Sequence, residues 1–588
     1  MAHRTPLKRE LRRILLCHYD IQANCSYRQA YVAQVTGVSA NKVVSRVKRL
    51  GGGFGGKETR SVQLAGICAT AAAKAKRPVR CMLNRDEDIL TSGQRHPFLC
   101  HWKVGVTKEG KILALDADVF ANGGHTQDLS GAVVERSLSH IDGVYKIPNV
   151  HVRGRICKTN TVSNTAFRGF GGPQGLFFAE CYISEIADHL DIPAEEIRSI
   201  NMYQPDEKTH FNQTLKDWYV PLMYKQVIEE SSYTERRKAV EEYNAQHKWS
   251  KRGMAIVPTK FGISFTALFL NQAGALVHIY HDGSVLVAHG GVEMGQGLHT
   301  KMTMIAAEAL QVPQSSVFIS ETATNTVANT SSTAASASSD LNGYAIYNAC
   351  EQLNERLRPF REKMPNATMK ELAHAAYFDR TNLSAQGYYR TPDIGYVWGE
   401  NSGQMFFYFT QGVTAAEVQI DTMTGDWTPL RADIKMDVGR TINPSVDYGQ
   451  IEGAYVQGQG LFTTEESLWH RASGQIFTRG PGNYKIPGFR DIPQIFNVSL
   501  LKDVEWRNLR TIQRSRGVGE PPLFMGSAVF FAIRDALKAA RKQWNVTDVL
   551  SLEAPATPER IRVSCADPII ERARVQPKEG ERSFFVAI

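Results

Sequence analysis

The sequence contains no C-x-x-C pair. Its nine cysteines stand singly along 588 residues, at positions 17, 25, 68, 81, 100, 157, 181, 350 and 565. Zinc ribbons and iron–sulfur clusters take cysteines at short, paired spacings, so the sequence excludes both kinds of site. An odd number of widely spaced cysteines is typical of reduced thiols, which predicts a cytoplasmic location, with the peroxisome as the alternative.

Long apolar runs and basic stripes are also missing. No run is long enough to span a bilayer and no secretory signal is present, so no membrane partner is expected. The net charge is +9, but acids are interspersed with the basic residues and no basic stretch carries stacking aromatics, so no nucleic-acid partner is expected. With 43% hydrophobic and 22% charged residues, the composition is that of a globular protein of about three to five folding units.

Hydrophobic periodicity predicts both helices and strands. The predicted helices cover 60–79 (ending at Pro78), 299–312 and 526–544, and the predicted strands, which enter tight glycine loops, cover 114–124 and 285–293. The polar segment 233–252 separates two halves that both carry glycine-rich loops. The pattern predicts a mixed α/β or α+β fold with a site between the halves.

The stretch "RVKRLGGGFGGKETR" at 46–60 places five glycines around Phe54. Ordering a glycine costs roughly 0.5–1 kcal/mol relative to alanine, so such a run indicates positive φ or a close approach of the backbone to a ligand. A flexible linker would favour Gly/Ser mixtures without an aromatic residue. Gly51, Gly56 and Lys57 match the frame of a P-loop, but Glu58 stands where that motif needs Ser or Thr, so the NTPase interpretation fails.

Four further segments are built in the same way. They are "AFRGFGGPQG" (166–175), "HGGVEMGQG" (289–297), "NTSSTAASASSD" (329–340) and "RGVGEPPLF" (516–524). A glycine-rich turn that leads into a helix exposes backbone N–H groups beside the positive end of the helix dipole, which makes an anion site. Several such loops predict a large phosphorylated ligand. A Rossmann fold is excluded, because no G-x-G-x-x-G loop lies between a predicted strand and helix with an acid about 20 residues later.

Together with "GGGFGGKETR" and "PTKFGISFT", these motifs, in their order along the chain, resemble the molybdenum-cofactor region of the xanthine dehydrogenase/aldehyde oxidase family. The resemblance runs from about Gln29 to about Trp544. It implies two molybdopterin-binding α/β subdomains with molybdenum between them, and a molybdenum–molybdopterin cofactor. The expected parts are a divergent segment 1–28, a first subdomain 29–237, a second subdomain 238–546 and a C-terminal extension 547–588.

The resemblance also implies partners for the cofactor. The [2Fe–2S] clusters and FAD of the family are expected only on N-terminal domains that this sequence lacks, so we expect this chain alone to transfer no electrons from a purine to NAD. A homodimer is expected. A glutamine that hydrogen-bonds the molybdenum oxo group is expected near Ala23, but the nearest glutamine, Gln22, is out of register by one residue.

Three charged residues match catalytic positions of the family. Glu520 is expected to deprotonate Mo–OH, which attacks a ring carbon as hydride moves to Mo=S. Glu58 and Arg136 are expected to hydrogen-bond opposite edges of a purine, which favours oxidation of hypoxanthine to xanthine and of xanthine to urate. Taken alone, each residue has a structural alternative. Glu520 would be a strand-end acid before Pro-Pro, Glu58 a helix N-terminal acid, and Arg136 half of a surface ion pair with Glu135.

The remaining candidates surround these three. Phe170 and Phe265 match the aromatics that sandwich the substrate ring, with Thr266 beside them, although core packing would explain a lone Phe. The positions that match cofactor contacts are Gly53, Phe54, Gly55, Arg168, Met294, Gln296, Ala335 and Gln450. Among these, Phe54, Arg168 and Ala335 are expected near molybdenum, whose ligands come mainly from the pterin dithiolene.

Two other functions stay open at this point. One is an aldehyde oxidase-like hydroxylase of aldehydes and N-heterocycles, against which the charges of Glu58 and Arg136 speak. The other is an inactive fragment without Fe–S and FAD domains, retained as a scaffold or produced by an incomplete gene model. Metal analysis separates them, because a scaffold should hold no stoichiometric molybdenum.

Overall fold

The computed structural model describes residues 25–470 and 472–573. The helices are α1 Cys25–Thr36, α2 Ser61–Ala75, α3 Arg85–Ser92, α4 Ser130–Leu138, α5 Gly172–Leu190, α6 Ala194–Asn201, α7 Val220–Glu230, α8 Tyr233–Gln246, α9 Leu298–Leu310, α10 Ser338–Lys363, α11 Met369–Phe378, α12 Pro444–Thr463, α13 Pro481–Tyr484, α14 Ser527–Gln543, α15 Pro558–Ser564 and α16 Pro568–Ala573.

The strands are β1 Arg46–Val47, β2 Phe98–Val106, β3 Ile112–Gly124, β4 Asn149–Lys158, β5 Ser250–Ile263, β6 Gln272–Ile279, β7 Val285–His289, β8 Val317–Phe318, β9 Thr322–Ala323, β10 Ser384–Arg390, β11 Gly395–Val397, β12 Ser402–Gln404, β13 Tyr408–Asp421, β14 Trp427–Asp437 and β15 Ile495–Leu500. Helices and several small sheets alternate along the chain, which confirms the predicted mixed α/β class.

The central sheet has the strand order β15-β14-β13-β5. Strand β13 pairs antiparallel with both β5 and β14, whereas β15 runs parallel to β14. Nearly every residue of β13 and β5 is buried, so both faces of these strands are covered by other elements. Helix α14 packs against β5 and β13. The sheet therefore fixes where β5 ends, at the edge of the site described below.

Two further sheets flank this centre. Strands β10-β6-β7-β8 form a four-stranded sheet on which the long helix α10 packs. Strand β6 alternates buried and partly exposed residues, as expected for a sheet with one face against a helix. Strands β2-β3-β4 form a three-stranded sheet against α5. Helices α9, α10 and α5 all begin directly after glycine-rich or serine-rich loops, and these loops meet in one place.

Most predicted elements form. The predicted strand 114–124 lies within β3, and the predicted strand 285–293 is β7 up to His289, followed by a loop. The helices predicted over 299–312 and 526–544 are α9 and α14. The helix predicted to end at Pro78 ends earlier, at Ala75, because Lys76 adopts left-handed backbone geometry with φ of 52°.

The polar segment 233–252 folds as α8 and the start of β5, where a separating segment was predicted. Its charges are used in packing. The guanidinium of Arg236 donates to Glu417 over 3.0 Å and to Asp433 over 3.2 Å, two acids on the central sheet. The high polarity of this segment thus reflects ion pairs with distant strands. The local sequence pattern cannot distinguish such a segment from an exposed boundary between domains. The domain limits stay predictions.

Some predictions fall outside the described residues. Gln22 and Ala23, and with them the question of the expected glutamine, lie there. Within 25–470 and 472–573, no helix is both long and apolar enough to cross a membrane.

The contact between β5 and α14 gives a test of the fold. A Cβ at Gly253 would lie 2.1 Å from the carbonyl oxygen of Ala532 and 2.4 Å from the amide nitrogen of Ala536. Because both are backbone atoms, Gly253→Ala should shift the helix and destabilise the protein by about 1–3 kcal/mol. Calorimetry should show a lower thermal midpoint.

The control is Gly399→Ala. A Cβ at Gly399 would meet no atom within 4 Å, so its thermal midpoint should stay close to that of the wild type. Equal midpoints for the two variants would contradict the close packing of β5 on α14.

Candidate active site

One cavity of about 650 Å³ lies where the glycine-rich loops meet. Its wall includes residues from 51–55, 166–170, 294–298, 333–339 and 515–520. The five motif segments identified in the sequence therefore converge on one space, although they are up to several hundred residues apart in the chain.

Every residue predicted from the sequence to belong to the site lines this cavity. These residues are Gly53, Phe54, Gly55, Glu58, Arg136, Arg168, Phe170, Phe265, Thr266, Met294, Gln296, Ala335, Gln450 and Glu520. Their location is a feature of the structure, and the individual roles stay predictions.

The glycine loop owes its composition to backbone geometry. Gly52 and Gly55 have φ of 91° and 99°, and Phe54 between them has φ of 53°. A Cβ on Gly55 would lie 2.6 Å from the carbonyl oxygen of Ala166, so only glycine lets the two loops touch. The amide of Arg168 donates to the carbonyl of Phe54 over 2.6 Å, which joins the loops directly. The Phe54 side chain is left 46% exposed.

Glu520 sits just before the 3₁₀ turn Pro521–Gly526 and is held by two other loops. Its Oε1 accepts a hydrogen bond from the amide of Gly169 over 3.1 Å. Its Oε2 accepts one from the hydroxyl of Ser336 over 2.9 Å, and its own amide donates to that hydroxyl oxygen over 2.9 Å. The carboxylate is thus fixed in orientation, and Ser336 is a contact that the sequence motifs did not reveal.

Arg136 lies on α4 and is only 2% exposed, so the alternative of a surface ion pair with Glu135 is wrong. Its Nη1 donates to the carbonyl of Gly262 over 2.7 Å and its Nη2 to that of Ser264 over 2.6 Å. The guanidinium lies 5.2 Å from the ring centroids of both Phe261 and Phe406. The end of β5 therefore fixes the cation in the cavity wall.

Glu58 is a buried acid, 8% exposed. Burial and then the negative charge of Glu520 raise the pKa of Glu58 from 4.5 to about 7, while a hydrogen bond with Ser332 opposes the rise. The two acids share one poorly solvated space, and Glu58 gives up its charge more readily than a surface glutamate would.

Arg168 connects the loops with helix α12. Its Nη1 donates to Gln457 Oε1 over 3.0 Å, its Nη2 to Gln450 Oε1 over 3.2 Å, and its Nε to the carbonyl of Gly519. Burial lowers the pKa of Arg168 to about 10, and the charge of Glu520 opposes this. Gln457 was missed in the sequence, although it follows Gln450 by two helical turns and so shares its face.

The aromatic candidates also face this space. Phe170 adopts φ of 49°, a left-handed conformation that is costly for a bulky residue. Phe265 is 9% exposed, and its amide donates to Asn271 Oδ1 over 2.9 Å, which holds the turn after β5. Thr266 follows it in the wall. The alternative of deep core packing therefore does not describe either ring completely, since both rings line the cavity.

Comparison with known families accounts for this geometry. Two models described as molybdopterin cofactor-binding domains match residues 16–202 and 226–493. This chain belongs to the molybdopterin cofactor-binding family. The predicted resemblance is thereby confirmed, as are two cofactor-binding regions of the molybdenum hydroxylase type.

Curated relatives of this molybdopterin-binding chain are longer proteins. The chain is 87% identical to xanthine dehydrogenase of Emericella nidulans over 96% of its length and 42% of that protein. It is 60% identical to xanthine dehydrogenase of Blastobotrys adeninivorans, over 97% and 41% respectively. It is 57% identical to nicotinate hydroxylase of Emericella nidulans, over 96% and 41%. The chain thus spans about two fifths of the length of these relatives.

Solved structures share the fold. Quinoline 2-oxidoreductase from Pseudomonas putida matches with a TM-score of 0.81 at 24% identity, over 93% of this chain and 72% of that one. Aldehyde oxidoreductase from Desulfovibrio gigas matches with a TM-score of 0.78 at 24% identity, over 91% and 56%. At this identity the likeness shows the fold alone.

The cavity has the features that a molybdopterin requires. A Cβ added to Gly51, Gly295, Gly449 or Gly453 would meet no atom within 4 Å, so open space lies beside three stretches of backbone in the wall, one of them helix α12. Helices α9 and α10 both begin at the cavity, through Leu298 and Ser338, and their N-termini suit a phosphate. These residues fit a phosphorylated pterin.

In the described parts of the chain no group of three or more His, Cys, Asp or Glu side chains is arranged to hold a metal ion.

The pKa of Glu58 predicts a pH dependence of stability in the cofactor-free protein. Because the folded state keeps this proton up to about pH 7 and the unfolded state loses it near 4.5, the free energy of unfolding should fall as the pH rises between these values. The total fall attributable to Glu58 should be about 3 kcal/mol at most. Urea unfolding across this interval measures it.

Glu58→Gln stays neutral and should lose this part of the pH dependence. Glu109→Gln removes an exposed acid and should keep the wild-type slope between pH 4.5 and 7. An unchanged slope in Glu58→Gln would show that Glu58 is solvated in the folded protein.

Proposed function

We propose that this chain is the molybdenum-cofactor region of a hydroxylase that oxidises purines, hypoxanthine to xanthine and xanthine to urate. The observation that carries the proposal is the placement of Glu520, Glu58 and Arg136 in the wall of one cavity, with Phe170 and Phe265. High identity to proteins named xanthine dehydrogenase supports it.

Arg136 binds the substrate in this proposal. Arginine has five N–H donors, and Nη1 and Nη2 use one each on the carbonyls of Gly262 and Ser264. Its Nε is buried without a hydrogen-bond partner among the described residues. A cation with donors to spare, at the edge of an apolar space, suits a ring oxygen on which negative charge develops.

Glu58 binds another edge of the ring. Because its pKa is about 7, a large fraction of Glu58 carries a proton at neutral pH. A carboxylic acid can donate one hydrogen bond and accept another, which matches a purine edge that carries both N–H and a lone pair. Phe170 and Phe265 hold the flat ring by their faces and edges.

Glu520 is the general base. When bound, the molybdenum cofactor supplies the oxidising chemistry by accepting two electrons as the ring carbon is hydroxylated. Glu520 receives the proton that this step releases. Each of its oxygens already accepts one hydrogen bond, from Gly169 and Ser336, and retains a lone pair for the proton. The two loops hold that lone pair in a fixed direction.

A second candidate is the hydroxylation of another N-heterocycle. A relative named nicotinate hydroxylase is 57% identical over 96% of this chain. The buried guanidinium of Arg136 would pair with a substrate carboxylate as readily as with a ring oxygen. Comparison of xanthine and nicotinate as substrates separates the two candidates. The aldehyde oxidase-like alternative uses neither Arg136 nor Glu58, and stoichiometric molybdenum would exclude the scaffold alternative.

The remaining components belong to the same proposal. The resemblance to the family implies [2Fe–2S] clusters and FAD outside this chain as the route for electrons. A homodimer and a cytoplasmic location also stay predictions.

The role of Glu520 is tested by Glu520→Gln in the cofactor-loaded protein. Glutamine keeps the shape and the acceptor to Ser336 or Gly169 but lacks the basic lone pair. The rate of reduction by xanthine in a single turnover should fall by about 10²–10⁴-fold or more. Molybdenum content should stay that of the wild type.

Glu417→Gln is the matched control. Glu417 lies on the central sheet, away from the cavity, and pairs with Arg236 of α8. This variant should leave the reduction rate unchanged. Reduction of the Glu520→Gln protein at close to the wild-type rate would make Glu520 a structural residue.

Specificity is tested by Arg136→Met and Glu58→Val. Each removes a buried partner of the ring, so kcat/KM for xanthine should fall about tenfold to hundredfold. The double variant should prefer aldehydes. Glu135→Gln, next to Arg136 on α4, should behave as wild type. Wild-type xanthine kinetics in both single variants would remove these residues from the site.

A further inference from the structure

We propose that His140 is a positioning residue that fixes the Arg136 guanidinium in the cavity wall and so sets the enzyme's preference for substrates with a ring oxygen. The inference rests on the proposed function, in which Arg136 contacts that oxygen. His140 lies two residues beyond the end of α4, behind Arg136, and acts through it.

His140 closes a ring of hydrogen bonds around Arg136. Its Nδ1 lies 2.8 Å from the carbonyl oxygen of Arg136. Its Nε2 accepts from the amide of Gly262 over 3.1 Å. The carbonyl of the same Gly262 accepts from Arg136 Nη1 over 2.7 Å. The backbone and the side chain of Arg136 are therefore tied to one residue of β5, the first through His140 and the second directly.

These contacts determine the protonation of the imidazole. The amide of Gly262 can only donate, so Nε2 must be the acceptor and the proton must be on Nδ1, which then donates to the carbonyl of Arg136. A protonated ring would lose the acceptor. Burial, together with the charges of Lys260 and Arg136, holds the pKa of His140 well below its usual value and keeps the ring neutral.

The surroundings leave His140 little freedom. Its ring centroid lies 5.2 Å from that of Phe261 and 5.4 Å from that of Phe406, the two rings that also flank Arg136. A Cβ on Gly262 would lie 2.3 Å from atoms of the Phe406 ring, so this part of β5 cannot move towards that ring. His140 thus sets how far α4 projects the guanidinium into the cavity.

Substitution of His140 by two amide side chains of different length tests whether His140 positions Arg136. His140→Gln has the reach to accept from the Gly262 amide, whereas His140→Asn has only the reach to bond the carbonyl of Arg136. In cofactor-loaded protein, His140→Asn should raise the KM for xanthine about tenfold with kcat changed less, because a buried amide loses its acceptor and Arg136 shifts. His140→Gln should stay within about threefold of the wild type.

The second readout is a substrate that cannot use Arg136. Unsubstituted purine has no ring oxygen, so its binding, measured as a KM or as competitive inhibition of xanthine oxidation, should change less than threefold in His140→Asn. In the Arg136→Met background, His140→Asn should have no further effect on xanthine, since the two residues act as one unit. His278→Asn, which alters a histidine bonded to Ser384 on β10, should leave both substrates unchanged.

The outcomes separate this inference from the function on which it rests. If Arg136→Met impairs xanthine but His140→Asn does not, or if their effects add, the positioning role is overturned and the proposed function stands. If Arg136→Met has no effect on xanthine, both are overturned. If His140→Asn and His140→Gln both lose fold or molybdenum, or impair xanthine and purine equally, His140 is a general structural residue and the inference is overturned.

Discussion

One partly buried residue, Arg168, joins four of the segments that enclose the cavity. Its amide bonds the carbonyl of Phe54 in the glycine loop, and its guanidinium bonds the carbonyl of Gly519 and the side chains of Gln450 and Gln457 on α12. The contact between Arg168 and Gly519 alone spans 351 residues of sequence. These contacts act together with the hydrogen bonds of Glu520 to Gly169 and Ser336, because glycine-rich backbone has little rigidity of its own.

The same enclosure separates the properties of two acids. Glu58 and Glu520 line one cavity, and burial together with the charge of Glu520 raises the pKa of Glu58 to about 7. Glu520 accepts hydrogen bonds from an amide and a hydroxyl, one on each carboxylate oxygen. Two identical side chains thus meet different hydrogen-bonding environments in one cavity.

The fourteen predicted positions all line the cavity, and their individual roles stay predictions. Most of them lie in loop motifs whose glycines or prolines constrain the backbone locally, whereas Arg136 lies on α4 and Gln450 on α12. Ser336, Gln457 and His140 were not found, since their contacts are with residues distant in the chain or lie behind the wall. The sequence likewise did not reveal that α8 forms ion pairs with acids on β13 and β14.

Helix α12 places Gly449 and Gly453 beside open space within the cavity wall. Glycine inside a helix costs about 1 kcal/mol relative to alanine, and at these positions no other part of the protein would clash with a methyl group. The chain therefore loses helix stability at two positions where packing within the protein does not require glycine. Selection for stability alone would replace both glycines with alanine, and would yield a sturdier protein with less room for its cofactor.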